Sequence, residues 1–192
     1  MTHPRAVGFH VRAAAPADVP ALMRLKRLLA LGEDSLHAVQ ASEADWLRDG
    51  FGPDAGFCAF VAEAESAASG NAVIGNSVIA RSVIGMATCS RRTLTGWNGP
   101  VLFLQDLIVE TAWRRHGVAA ALVARVAALA REIGSPIVEL TVRADNKGAQ
   151  RFYEENGFMP VPQCLTYVLA GPALLTLADR DQAEAEKLAL AV

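Results

Sequence analysis

The sequence predicts a mixed α/β fold: a mostly antiparallel sheet, extended by one parallel strand pair and flanked by helices. Three observations predict it. Two extended runs, 56–63 and 81–90, are separated by small, polar, Gly-containing residues, as in a long hairpin. A strongly apolar run, 101–109, leads through a short loop into a helical stripe. A further apolar strand, 137–142, follows that stripe, and strand–helix–strand with a short turn makes a parallel crossover, normally right-handed.

The elements follow in order. Residues 9–12 form a short first strand. Pro16 opens a helix near its start, and Val19, Leu22, Leu25, Leu28 and Leu29 recur at helical spacing, so 17–31 reads as an amphipathic helix ended by Gly32. A second short helix is expected at 42–48, with Ser42 as cap and Asp45 at the capping-box position, where Glu or Gln would serve better. The segment 66–80 holds a local echo, Ser77-Val78-Ile79-Ala80 against Ser82-Val83-Ile84-Gly85, too short for a solenoid repeat and read as extra hairpin length. Val118, Leu122, Val126, Leu129 and Ile133 stripe a long helix, 118–133, capped by Gly134. The strand 137–142 reads as wholly buried. Asp145 or Asn146 caps a short helix that stops at Asn156-Gly157. A last strand at 164–169 and a helical tail at 179–191 complete one domain, with a core over about 9–169 and a tail over 170–192.

Composition narrows the function classes. The 192 residues are 52% apolar with net charge −2, enough for a substantial core and too neutral for a nucleic-acid surface. No run reaches transmembrane length, because Arg125 interrupts the longest, and residues 1–10 lack the apolar stretch of a signal peptide. Cys58, Cys89 and Cys164 lie far apart in sequence, are odd in number and show no metal-ligand spacing, so they read as reduced thiols in strands. The expectation is a cytoplasmic protein without metal, membrane or nucleic-acid partner.

The chemistry concentrates where the strand 101–109 meets the long helix. Arg114-Arg115-His116-Gly117-Val118-Ala119 places a helix N-terminus, with orphan amides and the positive dipole end, after a buried strand. Small side chains at Gly117, Ala119 and Ala120 admit a pyrophosphate, and two arginines add charge that suits phosphate. The same residues would also serve an ordinary turn that packs a helix closely on a sheet. It is neither a Walker loop nor a dinucleotide fingerprint, for both glycine spacings are missing.

This loop resembles the Arg/Gln-x-x-Gly-x-Gly/Ala acyl-CoA loop of the GNAT N-acetyltransferase superfamily. A second stretch, Asn146 with Ala149, Phe152, Tyr153, Asn156, Gly157 and Phe158, is similar to that family's Asn…Ala…Phe-Tyr…Gly-Phe signature. The resemblance runs from Phe9 to Val168. Within the superfamily it is closest to the diamine (spermidine/spermine) and thialysine acetyltransferases. Val11-Arg12…Ala17-Asp18, Leu47-Arg48-Asp49-Gly50-Phe51-Gly52, Phe60-Val61-Ala62-Glu63, Trp97 and Leu104-Gln105-Asp106 carry that likeness.

What the resemblance implies is specific. The fold would be the GNAT acyl-CoA N-acyltransferase fold with a splayed central parallel strand pair. Acetyl-CoA would lie between those strands as cosubstrate, its pantetheine on the backbone of Leu107, Ile108 and Val109. Its pyrophosphate would rest on the loop from Arg114 through Arg115, His116, Gly117, Val118 and Ala119 to Ala120. Tyr153 would be the general acid for the departing thiolate, on a helix face shared with Ala149 at i, i+4; a core tyrosine would fit that face too. Asn146 would cap the helix, contact the cofactor, or both. The base is open: Gln105 stands where the diamine enzymes carry Glu and cannot accept a proton. Asp106, Glu139 or an ordered water are the alternatives, and Asp106 on a regular strand would face away from Gln105. Glu33 and Trp97 are candidate contacts to the amine. The expected activity is acetylation of a small primary amine (a diamine, polyamine or lysine analogue) by a homodimer. A protein or peptide N-acetyltransferase, or an inactive acyl-CoA-binding regulator, are the alternatives.

Overall fold

In the computed structural model the described residues are 8–66, 80–95, 99–164, 169, 171–176 and 178. They fall into two compact units, Met1–Asp145 and Asn146–Val192. The first unit holds a five-stranded sheet in the order β1-β2-β3-β4-β5: Phe9–Ala13, Cys58–Ser66, Ala80–Thr93, Pro100–Val109 and Val138–Leu140. The first four strands are antiparallel neighbours, and β5 joins β4 in parallel. The crossover expected from the sequence is therefore present, and so is the hairpin. Most of its predicted insert, residues 67–79, lies outside the described residues.

One face of the sheet carries α1, Val19–Gly32, and α2, Glu43–Phe51. Pro16 sits in a single turn of 3-10 helix, Pro16–Asp18, that feeds α1. The predicted stripe does the packing: Val19, Leu22, Met23 and Leu25 are nearly inaccessible and meet Trp46, Ala59, Val61, Val83, Met86 and Ile108. Burying each such aliphatic side chain contributes about 1.5–3 kcal/mol. The capping box at Ser42 forms with aspartate: Ser42 Oγ accepts from the Asp45 amide at 3.2 Å, and Asp45 Oδ2 accepts from the Ser42 amide at 2.8 Å. The other face carries α3, Val118–Glu132, through Val118, Leu122, Val123, Val126 and Ala130.

An ion cluster ties β1 to this core. Arg12 donates to both oxygens of Asp18, at 2.7 and 2.9 Å, and to Glu63 at 3.0 Å. Glu63 also receives His10 at 3.2 Å. These bonds, led by the Arg12 guanidinium, hold the Asp18 and Glu63 carboxyls below their ordinary range.

β5 corrects one expectation. The strand is three residues long, not six, and half-buried; Val142 is 36% exposed. Its ladder with β4 covers only Leu102–Leu104, and among the described residues no strand pairs with Thr141 or Val142.

The second unit holds α4, Lys147–Glu155, capped by Asn146, whose Oδ1 accepts the Ala149 amide at 3.0 Å. Gly157, at φ 87°, ends it, and the Phe158 amide returns to the Tyr153 carbonyl at 3.0 Å. The expected last strand at 164–169 and tail helix at 179–191 lie almost wholly outside the described residues. Among the described residues no helix is long and apolar enough to cross a membrane.

Candidate active site

β4 carries the site, and an irregularity in it sets the geometry. Its register with β3 pairs Ser90 with Phe103 and Cys89 with Leu104, then jumps to Thr88 with Asp106. Gln105 is the extra residue of a β-bulge, which kinks the strand and resets the side-chain alternation. The sequence expectation that Gln105 and Asp106 face apart is thus overturned: both line one cleft.

That cleft, of about 370 Å³, opens between α1, α2 and the β3–β4 pair. Asp45, Asp49 and Asp106 line it together with Lys26, and Trp46, Phe57 and Phe103 form its apolar walls. Trp46 and Phe57 meet edge-on with centroids 5.2 Å apart. The Arg92 guanidinium stacks 3.3 Å above the Phe103 ring. Lys26 Nζ lies 2.5 Å from Asp106 Oδ1, and Thr88 donates to Oδ2 at 2.8 Å. Asp45 is held down to about 2 by the Ser42 hydroxyl and amide and by Arg48. Each carboxylate is paired, Asp45 and Asp49 with Arg48 and Asp106 with Lys26, and with the aromatic walls they make a polar cavity of a kind that can receive an organic cation.

On the other edge of β4, no described strand pairs beyond Leu104. Past Leu104 the ladder to β5 stops, while Leu107, Ile108 and Val109 stay paired with Ala87, Met86 and Gly85 of β3. Among the described residues, no strand takes up their outward backbone donors and acceptors, the kind of edge a guest strand or ligand can pair with. The splayed parallel pair expected from the sequence is this arrangement. Where the strand ends, Arg114 Nε donates back to the Val109 carbonyl at 3.3 Å. Arg115 and Gly117 adopt left-handed φ of 64° and 81°, coiling the chain into α3. His116 Nδ1 lies 2.9 Å from the Arg114 carbonyl oxygen, and its ring packs edge-on to Trp113.

No side chain caps α3. The first amides of the helix, at Val118, Ala119 and Ala120, have no partner within it, since the helical bonds begin with Ala121 to Gly117. A Cβ built at Gly117, beside these donors, would meet nothing within 4 Å among the described residues. Uncapped amides, a dipole end and the clearance at Gly117 fit a phosphate-bearing ligand.

Other expected residues are placed differently. Glu33 caps the C-terminus of α1 and lies outside the cleft lining; with Asp34 it raises the Arg143 guanidinium, whose main partner is Asp145. Glu139 pairs with Phe103 and so stands on the cleft face of the sheet, half-buried and outside the lining. Trp97 lies outside the described residues. Asn146, Ala149 and Tyr153 belong to the second unit, where the Tyr153 ring packs edge-on to Phe152 and Phe158 at 5.3 and 5.5 Å.

Several cleft residues were not singled out as site residues from the sequence. Asp45 and Asp49 stand one helical turn apart beside Trp46, an acidic pair that i, i+4 spacing could have revealed. Lys26 and Thr88 left no signal, because strand register and helix docking bring them in.

The acetyltransferase (GNAT) family model matches residues 30–158, about two thirds of the chain. The chain belongs to the GNAT family. A mouse thialysine N-epsilon-acetyltransferase is 30% identical over 176 residues, covering 88% of this chain and 97% of its own length. The human spermidine/spermine N(1)-acetyltransferase-like protein 1 is 28% identical over 151 residues. That match covers 78% of this chain, and the chain spans only 20% of the human protein's length. Among solved structures, the aminoglycoside N-acetyltransferase AAC(6')-Iy in complex with CoA matches with a TM-score of 0.64. It is 20% identical, with 88% of this chain and all of that one covered, and it supports the fold. The family match and the solved structure agree with the mixed sheet and flanking helices described above.

Proposed function

We propose that this GNAT acetyltransferase transfers an acetyl group from acetyl-CoA to the primary amine of a small cationic substrate such as a diamine, polyamine or lysine analogue. The observation that carries the reading is the bulge at Gln105. It places an acidic, aromatic cleft on one side of β4 directly before the stretch whose other edge pairs with no described strand.

Acetyl-CoA supplies an activated thioester, and the mouse and human relatives bear names of thialysine and spermidine/spermine acetyltransferases. In this reading the amides of Val118, Ala119 and Ala120 hold the pyrophosphate, helped by the charge of Arg114 and Arg115 and the loop at His116 and Gly117. The outer edge of Leu107, Ile108 and Val109 holds the pantetheine arm. Asp106, with Asp45 and Asp49, attracts the ammonium, and the aromatic walls select its alkyl chain. Gln105 orients the amine or a water through its amide. Its inability to take a proton leaves solvent water to accept the ammonium proton before attack. Tyr153 is the proposed acid that returns a proton to the leaving sulfur.

The test is thiol release from acetyl-CoA across a panel of diamines, polyamines, lysine analogues, neutral amines and peptides. The reading expects turnover on the cationic small amines, with a KM that rises in Asp106→Asn. Turnover on peptides alone would contradict the substrate class. Coenzyme A binding without turnover on any amine would instead support a regulatory binding protein.

A further inference from the structure

Outside the acceptor cleft, two thiols separated by thirty residues of sequence stand face to face. Cys58 of β2 and Cys89 of β3 are register partners in the antiparallel ladder. Directly opposed residues share a sheet face, with Cα atoms about 4.5 or 5.5 Å apart depending on the pair type, and both spacings fall in the range a disulfide spans. Each thiol is the strongest influence on the acidity of the other. Cys89 is fully buried, while Cys58 is half-buried and open to a small reagent.

We propose that Cys58 and Cys89 form an oxidant-responsive modification site, which a peroxide closes into a cross-strand disulfide between β2 and β3. The attacking sulfur is Cys58. The facing Cys89 thiol pulls it down to about 7, with smaller help from the Arg91 and Arg125 cations. The same pairing, burial and the Asp106 charge push Cys89 up, so it stays protonated as the resolving thiol. The Cys58 thiolate attacks one peroxide oxygen; the S–O bond forms, the O–O bond breaks, and hydroxide leaves to become water. Cys89 sulfur then attacks Cys58 sulfur, the S–S bond forms, the S–O bond breaks, and the hydroxyl departs as water with the Cys89 proton. Two thiols lose two electrons and one peroxide becomes two waters. Phe57, next to Cys58, and Thr88, next to Cys89, line the cleft, so the cross-link would pin the strands behind it.

The experiment needs no acetyl-transfer activity, so it stands or falls apart from the proposed function. The purified chain is treated with dilute hydrogen peroxide, and free thiols are titrated after denaturation. The expected result is a fall from three thiols to one, a loss of two hydrogens in intact mass, and a non-reduced peptide linking Cys58 to Cys89. A dithiol reductant restores all three. In Cys89→Ser the reaction should halt at a Cys58 sulfenic acid trapped by a 1,3-diketone. Should peroxide leave both thiols alkylatable, or add oxygen to Cys58 in the native sequence without the linked peptide, the site is overturned; the peptide map needs no variant to fold.

Discussion

Lys26 Nζ stands 2.5 Å from Asp106 Oδ1, so a cation of the protein's own occupies this carboxylate of the aromatic cleft. Under the proposed function an incoming ammonium would share Asp106 with it. Thr88 holds the other oxygen, and both residues depend on the register that the Gln105 bulge creates.

Replacing Lys26 with methionine should therefore strengthen the hold on a cationic amine. The expected change is a fall in KM for a diamine of about 3- to 10-fold, equivalent to roughly 1 kcal/mol for a partly exposed ion pair. Steady-state kinetics at fixed saturating acetyl-CoA would read it. An unchanged KM would mean that Asp106 does not meet the amine.

Asp106→Asn should act in the opposite direction. Losing a hydrogen bond to a charged group costs about 1.5–3 kcal/mol, so KM for the amine should rise about 10- to 100-fold. The KM for acetyl-CoA should be little changed, because the Asp106 partners in the cleft, Lys26 and Thr88, lie outside the proposed pyrophosphate loop 114–120.

Much of this was legible in the sequence. The stripe of α1, the Ser42–Asp45 box, the crossover and the uncapped start of α3 follow from local spacing and were found in place. The bulge was not legible: one unpaired residue in an apolar strand leaves no mark in hydrophobic pattern, yet it reverses which face Asp106 occupies. Lys26 carries no mark in the sequence either, because its partner lies eighty residues away. The length of β5 was overestimated for a related reason, since apolar composition marks a run that can be a strand but not how far its neighbour stays beside it.

Gly117 sits at φ 81°, where a side chain is strained although the space around it is open. Gly117→Ala should cost about 1–2 kcal/mol in the loop conformation. The account expects the KM for acetyl-CoA to rise about 5- to 30-fold while the amine KM is unchanged. A variant with native acetyl-CoA kinetics would detach the loop from cofactor binding.

Tyr153→Phe keeps the ring packing against Phe152 and Phe158 and removes only the hydroxyl. General-acid catalysis contributes about 10²- to 10⁴-fold, so kcat should fall by that order with little change in coenzyme A affinity. A kcat within threefold of the parent would assign Tyr153 to packing alone.

The Arg12 cluster makes an acid-stability prediction. Asp18 and Glu63 are held below their ordinary values of 3.8 and 4.5, chiefly by hydrogen bonds from Arg12. A depressed carboxyl contributes stability that is fully present above its unfolded value and is lost as pH falls through the folded one. Arg12→Met should lower Tm by about 3–10 °C at pH 7, with the gap to the parent closing progressively below about pH 4. Thermal melts from pH 7 to pH 3 would measure it; a gap that stays constant would remove the ion cluster from the explanation.

Calorimetric titration of coenzyme A into the purified chain tests the central claim most directly, that the outer edge of β4 and the start of α3 together form an acyl-carrier site. Saturable binding of one coenzyme A per chain, weakened in Gly117→Ala, is the predicted result. Absence of any measurable affinity for coenzyme A would contradict it.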